Sequence, residues 1–106
     1  MKKYLWEILV PTRKTDGTYF GLPHHKAWDA KVLSVASGMT ISKPGRGSWI
    51  STERGLIQEK MIPVRIYCTK GEIAQIANIT GTHYVQDAVM YYRISNYVRI
   101  IHGFHH

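Results

Sequence analysis

Lys43-Pro44-Gly45-Arg46-Gly47-Ser48-Trp49 is the segment best supplied for ligand chemistry. Gly45 and Gly47 would let backbone amides come close to a ligand, Lys43 and Arg46 add positive charge, and Trp49 offers a ring to stack on. Together they suit a small planar anion such as a nucleotide or cyclic nucleotide. The spacing is not that of a Walker loop, which requires Gly-x4-Gly-Lys-Ser/Thr. A second group is His24-His25, with Trp28 about one turn further on. The positive end of a helix disfavours imidazolium, so a ring placed there is neutral and free to act as acceptor, base or metal ligand. Adjacent helical residues diverge by about 100°, however, so the pair cannot chelate one ion from a helix. No His-x3-His or Cys pair suggests zinc either. The third group is His83, Tyr84, Gln86 and Asp87, of which the His, Tyr and Asp side chains could move protons in a cleft, as could Glu7 on an earlier segment. No Ser-His-Asp order, nucleophile elbow or paired-carboxylate spacing accompanies them. No metal and no cofactor is expected.

These residues sit in a chain of 106 residues, a length that suits one domain with one core. Fourteen Lys and Arg oppose seven Asp and Glu, a net charge of +7 that favours anionic partners. Cys68 is the lone cysteine, and within Ile62–Cys68 it reads as a small buried hydrophobe. The opening Met1–Pro11 superficially resembles a leader, but Glu7 breaks its apolar run and no small-residue cleavage site follows. No run approaches the roughly 20 apolar residues that span a bilayer. A cytoplasmic protein without membrane contact is therefore expected. His105-His106 could be the remnant of a purification tag and carries no functional weight here.

The elements that must position these groups follow from periodicity. Tyr4–Val10 alternates as a strand, Pro11 ends it, and a long polar segment over Thr12–Leu22 follows with an Asp16-Gly17 turn. Pro23–Ser37 carries one apolar stripe, Trp28, Val32, Val35 and Ala36, and predicts a helix closed by Gly38. Met39–Ser51 and Leu56–Thr69 read as one long hairpin around Thr52–Gly55. Thr69-Lys70-Gly71-Glu72 is a capping box opening a second helix over Lys70–Tyr84. Ala88–Ile94 is a further strand, and Tyr97–Ile101 a short fifth one beyond the Ser95-Asn96 turn. The order βαββαβ predicts a ferredoxin-like α+β sandwich, an antiparallel sheet with two helices on one face.

Such a sheet leaves one face open. Alternation places Leu5, Glu7, Leu9, Met61, Arg65, Tyr67, Val89, Tyr91 and Arg93 there, a surface too apolar to be left in water. The expected partner is the chain itself, in a homodimer or larger assembly stacked face to face, with Glu7 paired to Arg65 or Arg93. Nucleic acid is not expected. Glu7 would repel phosphates from the centre of that face, and the aromatic signature of an RNA-reading sheet is absent.

Gly38-Met39-Thr40-Ile41, Gly47-Ser48-Trp49, Glu59, and Tyr84-x-Gln86 leading to Val89 resemble the pattern of a family of small uncharacterised bacterial and phage α/β domains with a ferredoxin-like core. The resemblance spans about Trp28 to Tyr91 and implies the fold; the Trp6-Glu7-Ile8-Leu9-Val10-Pro11 opening and the compact size also suit a phage accessory protein. From the residues, the leading expectation is a homo-oligomeric, non-enzymatic binding protein for a small anion. Lys43, Arg46 and Trp49 would make the contacts, and His24, Trp28 and Tyr84 the walls. Two alternatives stand beside it. One is a small acid–base enzyme of the dimeric α/β-barrel type using Glu7, His83 or Tyr84. The other is an interaction module that inhibits a host factor.

Overall fold

The computed structural model describes residues 2–36, 38–41, 45–51, 55–95 and 98. Its elements run β1 (Tyr4–Pro11), α1 (Leu22–Leu33), β2 (Met39–Ile41), β3 (Gly45–Ser51), β4 (Gly55–Cys68), α2 (Lys70–Tyr84) and β5 (Tyr91–Ser95). The sheet is ordered β2-β4-β1-β5, and β3 also pairs β4. Every pairing among these strands is antiparallel. β2 and β3 both lie along β4 and together take the place of one strand, so the arrangement is the ferredoxin-like βαββαβ sandwich. The long hairpin and the full extent of α2 match the sequence reading; the further strand over Tyr97–Ile101 falls, apart from Val98, outside the described residues.

β1 lies between β4 and β5, so both its backbone edges are bonded and its two faces must differ. One face gives Trp6, Ile8 and Val10 to a core shared with Trp28, Val32 and Ala36 from the α1 side, Val64, Ile66 and Cys68 from β4, and Ile73, Ile76 and Tyr84 from α2. The other face carries Leu5, Glu7 and Leu9. The register sets Glu7 opposite Arg65 and Ile8 opposite Val64, which keeps charge and apolar bulk on separate sides. β4 continues past the end of β1, where Pro11 pairs Met61, and residues 55–60 carry β3 alone as a two-stranded ribbon. The molecule is accordingly long, 49 × 27 × 22 Å.

α2 begins as expected. Thr69 Oγ1 accepts from the Glu72 amide at 3.1 Å, and the Glu72 carboxylate accepts from the Thr69 amide at 2.9 Å. Its end carries no sequence signal. The amides of Gln86 and Val85 return to the carbonyls of Gly81 and Thr82, a Schellman closure that requires a left-handed residue. That residue is Val85, at φ 52, where a β-branched side chain is strained.

The structure departs from the sequence reading in three further places. α1 stops at Leu33 rather than Ser37, because the Ser34 hydroxyl donates to the Lys31 carbonyl at 2.6 Å and competes with the helical ladder. Ala36 still reaches the core from the turn that follows. The expected loop over 12–22 is a small hairpin, with a bridge between Arg13 and Tyr19 and a turn at Gly17, φ 89. β5 begins at Tyr91 rather than Ala88, and its facing is the reverse of the expected one. Val89 packs on the core, Tyr91 meets the Trp6 ring edge-on at 5.9 Å, and Arg93 lies over Tyr4 at 4.9 Å. Tyr92 therefore takes the open face, opposite Glu7.

Thr69→Ala removes half of the capping box, and urea unfolding should show a loss of about 1 kcal/mol.

Candidate functional site

Two places collect chemistry-bearing side chains: the seam where α1 and α2 meet, and the open sheet face. The seam forms because the N-terminal turn of α1 lies against the C-terminal turn of α2, bringing residues 59 apart in sequence into contact. His24 Nε2 lies 2.8 Å from the His83 carbonyl, and His83 Nε2 lies 2.7 Å from the His24 carbonyl. A carbonyl only accepts, so each ring must hold its proton on Nε2 and donate it across the seam. The Lys31 ammonium then donates to His83 Nδ1 at 3.1 Å, which makes His83 the neutral Nε2–H tautomer. The two rings lie 4.0 Å apart, and Phe20 stacks on His24 at 4.9 Å. His25 Nδ1 shares a hydrogen bond of 2.7 Å with the Tyr84 hydroxyl. Deeper in the seam, Trp28 Nε1 donates to Thr80 Oγ1 at 2.9 Å, and Thr80 donates to the Ile76 carbonyl at 2.7 Å.

Burial dominates the electrostatics here. Desolvation holds His25 and His83 below the ordinary imidazole value, helped at His25 by the neighbouring His24. It pushes the Tyr84 phenol well above its ordinary value, with Asp29 adding to the effect. Most of the donors and acceptors of the seam are committed to one another. Among the described residues no group of three His, Cys, Asp or Glu could hold a metal ion.

Beside the seam, α2 and the segment after it enclose a shallow groove of about 460 Å³. Asn78, Thr82, Gln86 and Asp87 supply its polar lining, and Ala77 and Val89 part of its floor. Gln86 is held in place by its side-chain amide, which donates to the Tyr84 carbonyl at 3.0 Å.

On the open face, Glu7 is only 8% exposed although no helix covers it. Tyr92 donates its hydroxyl to one carboxylate oxygen, and Arg65 Nε approaches the other at 3.3 Å. Of the two partners expected for Glu7, the structure selects Arg65. Around this polar island stand Leu5, Leu9, Met61, Pro63 and Tyr67, all partly exposed, with Tyr92 and Ile94 at 43% and 39%.

The expected site residues divide accordingly. His24, Trp28, His83 and Tyr84 come together in the seam. Glu7 lies across the sheet from His83 and Tyr84, so the three do not face one cavity. Lys43 falls outside the described residues. Arg46 and Trp49 lie on β3, in register with Lys60 and Ile57. That stretch is close to the 12–22 hairpin, whose Thr12 hydroxyl donates to the Lys60 carbonyl at 2.9 Å. Sequence reasoning missed Phe20, Lys31 and Thr80, and it missed the Arg13–Tyr19 pair, in which the guanidinium stacks 4.5 Å above the ring and donates to its hydroxyl at 2.6 Å. A polar Thr80 within the buried stripe of α2 was the one available signal.

No family model matches the chain, and no curated protein does. Solved structures match over nearly the whole length. A phage SAM lyase in complex with S-methyl-5'-thioadenosine superposes with a TM-score of 0.67 at 12% identity, over 90% of this chain and 82% of that one. The likeness is one of fold. CutA1 from Oryza sativa gives 0.60 at 10% identity, over 96% and 83% of the two chains. A divalent cation tolerance protein, Cut A1 from Thermus thermophilus, gives 0.60 at 8% identity, over 96% and 87%. Among the described residues, no helix is long and apolar enough to cross a membrane.

Tyr92→Phe strips one hydrogen bond from a buried carboxylate, and chemical denaturation should register a loss of roughly 1.5–3 kcal/mol. Burial raises the Cys68 thiol to about 11, so a disulfide exchange reagent at neutral pH should label it only after denaturant is added; prompt labelling of the native protein would contradict the buried placement.

Proposed function

We propose that the protein is a self-associating small-molecule protein whose ligand is a nucleoside derivative of the S-adenosyl type, held in the groove at the C-terminal end of α2. The groove carries this reading. Its volume of about 460 Å³ lies within the range of roughly 300–1,000 Å³ usual for small-molecule sites. Two amides, a hydroxyl and a carboxylate line it, which together offer the donors and acceptors that a base edge and a ribose diol need. The Asp87 carboxylate puts negative charge in the lining, which disfavours a phosphate and suits a neutral or sulfonium-bearing ligand. The likeness of fold to a lyase holding S-methyl-5'-thioadenosine supports the same ligand class and the expected phage setting. A role in divalent cation tolerance, as in the name of Cut A1, has weaker support if it needs cation binding here, because His24 and His83 already use their Nε2 protons on backbone carbonyls.

Self-association rests on the open face. A ring of partly exposed apolar side chains surrounds a paired Glu7 and Arg65, and a second copy would cover them without burying an unpaired charge. Two further readings attach to particular observations. The Asp87 carboxylate in the groove could act as a base, making the protein a lyase on the same ligand. The anion expected at Lys43, Arg46 and Trp49 would instead bind along the β3–β4 ribbon, near Lys60 and Arg13.

Calorimetric titration with S-methyl-5'-thioadenosine, S-adenosylmethionine, AMP and cyclic AMP separates these readings. The groove reading expects the thioether nucleoside to bind and Gln86→Ala to weaken it at least about tenfold, the equivalent of roughly 1.4 kcal/mol. Release of S-methyl-5'-thioadenosine from S-adenosylmethionine, lost in Asp87→Asn, would establish the lyase. Preference for AMP, abolished by Arg46→Ala, would move the site to the ribbon. Sedimentation velocity should show an assembly that Leu9→Glu dissociates.

A further inference from the structure

The groove wall and the histidine seam are mechanically one piece. Gln86 and Asp87 follow Val85 directly, and Val85 is the left-handed residue that closes α2. The closure depends on the last turn of α2, where the Gly81 and Thr82 carbonyls receive the Gln86 and Val85 amides. That same turn is pinned from outside by α1: His24 donates to the His83 carbonyl, and His83 donates back to the carbonyl of His24. A valine held at φ 52 is strained and persists only where its surroundings over-determine it. Val85 is 76% exposed, so its own packing does little to hold it. The constraint comes from the bonds on either side.

We propose that the reciprocal His24–His83 clasp positions the Gln86–Asp87 wall of the groove, so that protonating the clasp loosens this wall and releases a bound nucleoside. The inference rests on the groove reading given above for its ligand, but the clasp and the wall can be followed without one.

The groups that face the clasp come from each element around it. α1 presents His25, Asp29 and Lys31, α2 presents Tyr84, and the 12–22 hairpin presents the Phe20 ring. Nδ1 of His83 is the vulnerable atom. It accepts from the Lys31 ammonium at 3.1 Å, and a proton arriving there would set two cationic donors against each other. A protonated His25 could no longer accept the Tyr84 hydroxyl proton at Nδ1, and Asp29 is the carboxylate in position to offset its charge. Burial lowers both His25 and His83 in the folded protein. The unfolded or opened chain therefore binds protons first as the pH falls. The clasp is fully present above the ordinary imidazole value of about 6.5 and weakens below it, until the folded-state values are passed.

The test follows backbone amide hydrogen exchange of the full chain between about pH 7.5 and pH 5.5, corrected for intrinsic rates, with S-methyl-5'-thioadenosine titrated in parallel. Protection across 83–89 should fall by about tenfold in acid while β1 stays protected, and the nucleoside should weaken by a similar factor. His83→Gln keeps a donor for the His24 carbonyl but cannot titrate, so the acid response of its protection and affinity should be clearly smaller than that of the wild type. Lys31→Met should lessen the acid response without abolishing it. Protection across 83–89 that is insensitive to pH in the wild type overturns the proposal whether or not the nucleoside binds. Acid-sensitive protection without any binding would support the clasp and count instead against the groove as a nucleoside site. An acid response that persists unchanged in His83→Gln would also overturn it.

Discussion

The pairing of β1 with β4 is the constraint from which the rest of the structure follows. Glu7 meets Arg65 and Ile8 meets Val64, so one strand can present a charge to one side and core to the other. A slip of one residue would drive Glu7 into the space now filled by Trp6, Ile8 and Trp28. Burying an unpaired carboxylate there would cost more than the net stability of a domain this small can spare. The register is therefore fixed by chemistry at its centre. It also decides where the molecule is bare, because it keeps Leu5 and Leu9 on the face without helices.

Two consequences extend from that strand. At the Pro11 end, β4 runs on with β3 as a ribbon, and the 12–22 hairpin is tied to it through Thr12. Above the covered face, α1 and α2 meet through polar contacts as well as apolar ones. Trp28 with Thr80, His24 with His83, and His25 with Tyr84 give the helix pair a specific alignment that hydrophobic burial alone would not. No buried side-chain nitrogen or oxygen among the described residues lacks a partner. A seam so completely paired is suited to hold a neighbouring segment in one shape, and the segment it holds includes Gln86 and Asp87.

Much of the fold was legible because local signals agreed with each other. Thr69 and Glu72 marked the start of α2. The alternation of Val64, Ile66 and Cys68 gave the facing of β4. The end of α1 was misread because Val35 and Ala36 continue the apolar spacing after the helix has stopped, and a serine hydroxyl was what stopped it. The facing of β5 was misread because both parities of the segment carry apolar residues, Ala88, Met90, Tyr92 and Ile94 on one and Val89 and Tyr91 on the other. At the site, His24, Trp28 and Tyr84 were grouped as the walls of one pocket, whereas Arg46 and Trp49, grouped with them, lie on β3. The reciprocal His24–His83 bonding was not legible, since nothing local relates residues 59 positions apart. Of the groove, the sequence offered Gln86, Asp87 and Val89 but not the cavity they line. It exists only because α2 and the chain after it fold back on each other.

The most direct trial of the central claim is a crystal structure of the protein soaked with S-methyl-5'-thioadenosine. The account predicts density for the nucleoside against Asn78, Gln86 and Asp87, in chains associated through the face that carries Glu7. Ligand density confined to the β3–β4 ribbon, or an empty groove in a monomer at saturating nucleoside, would contradict it.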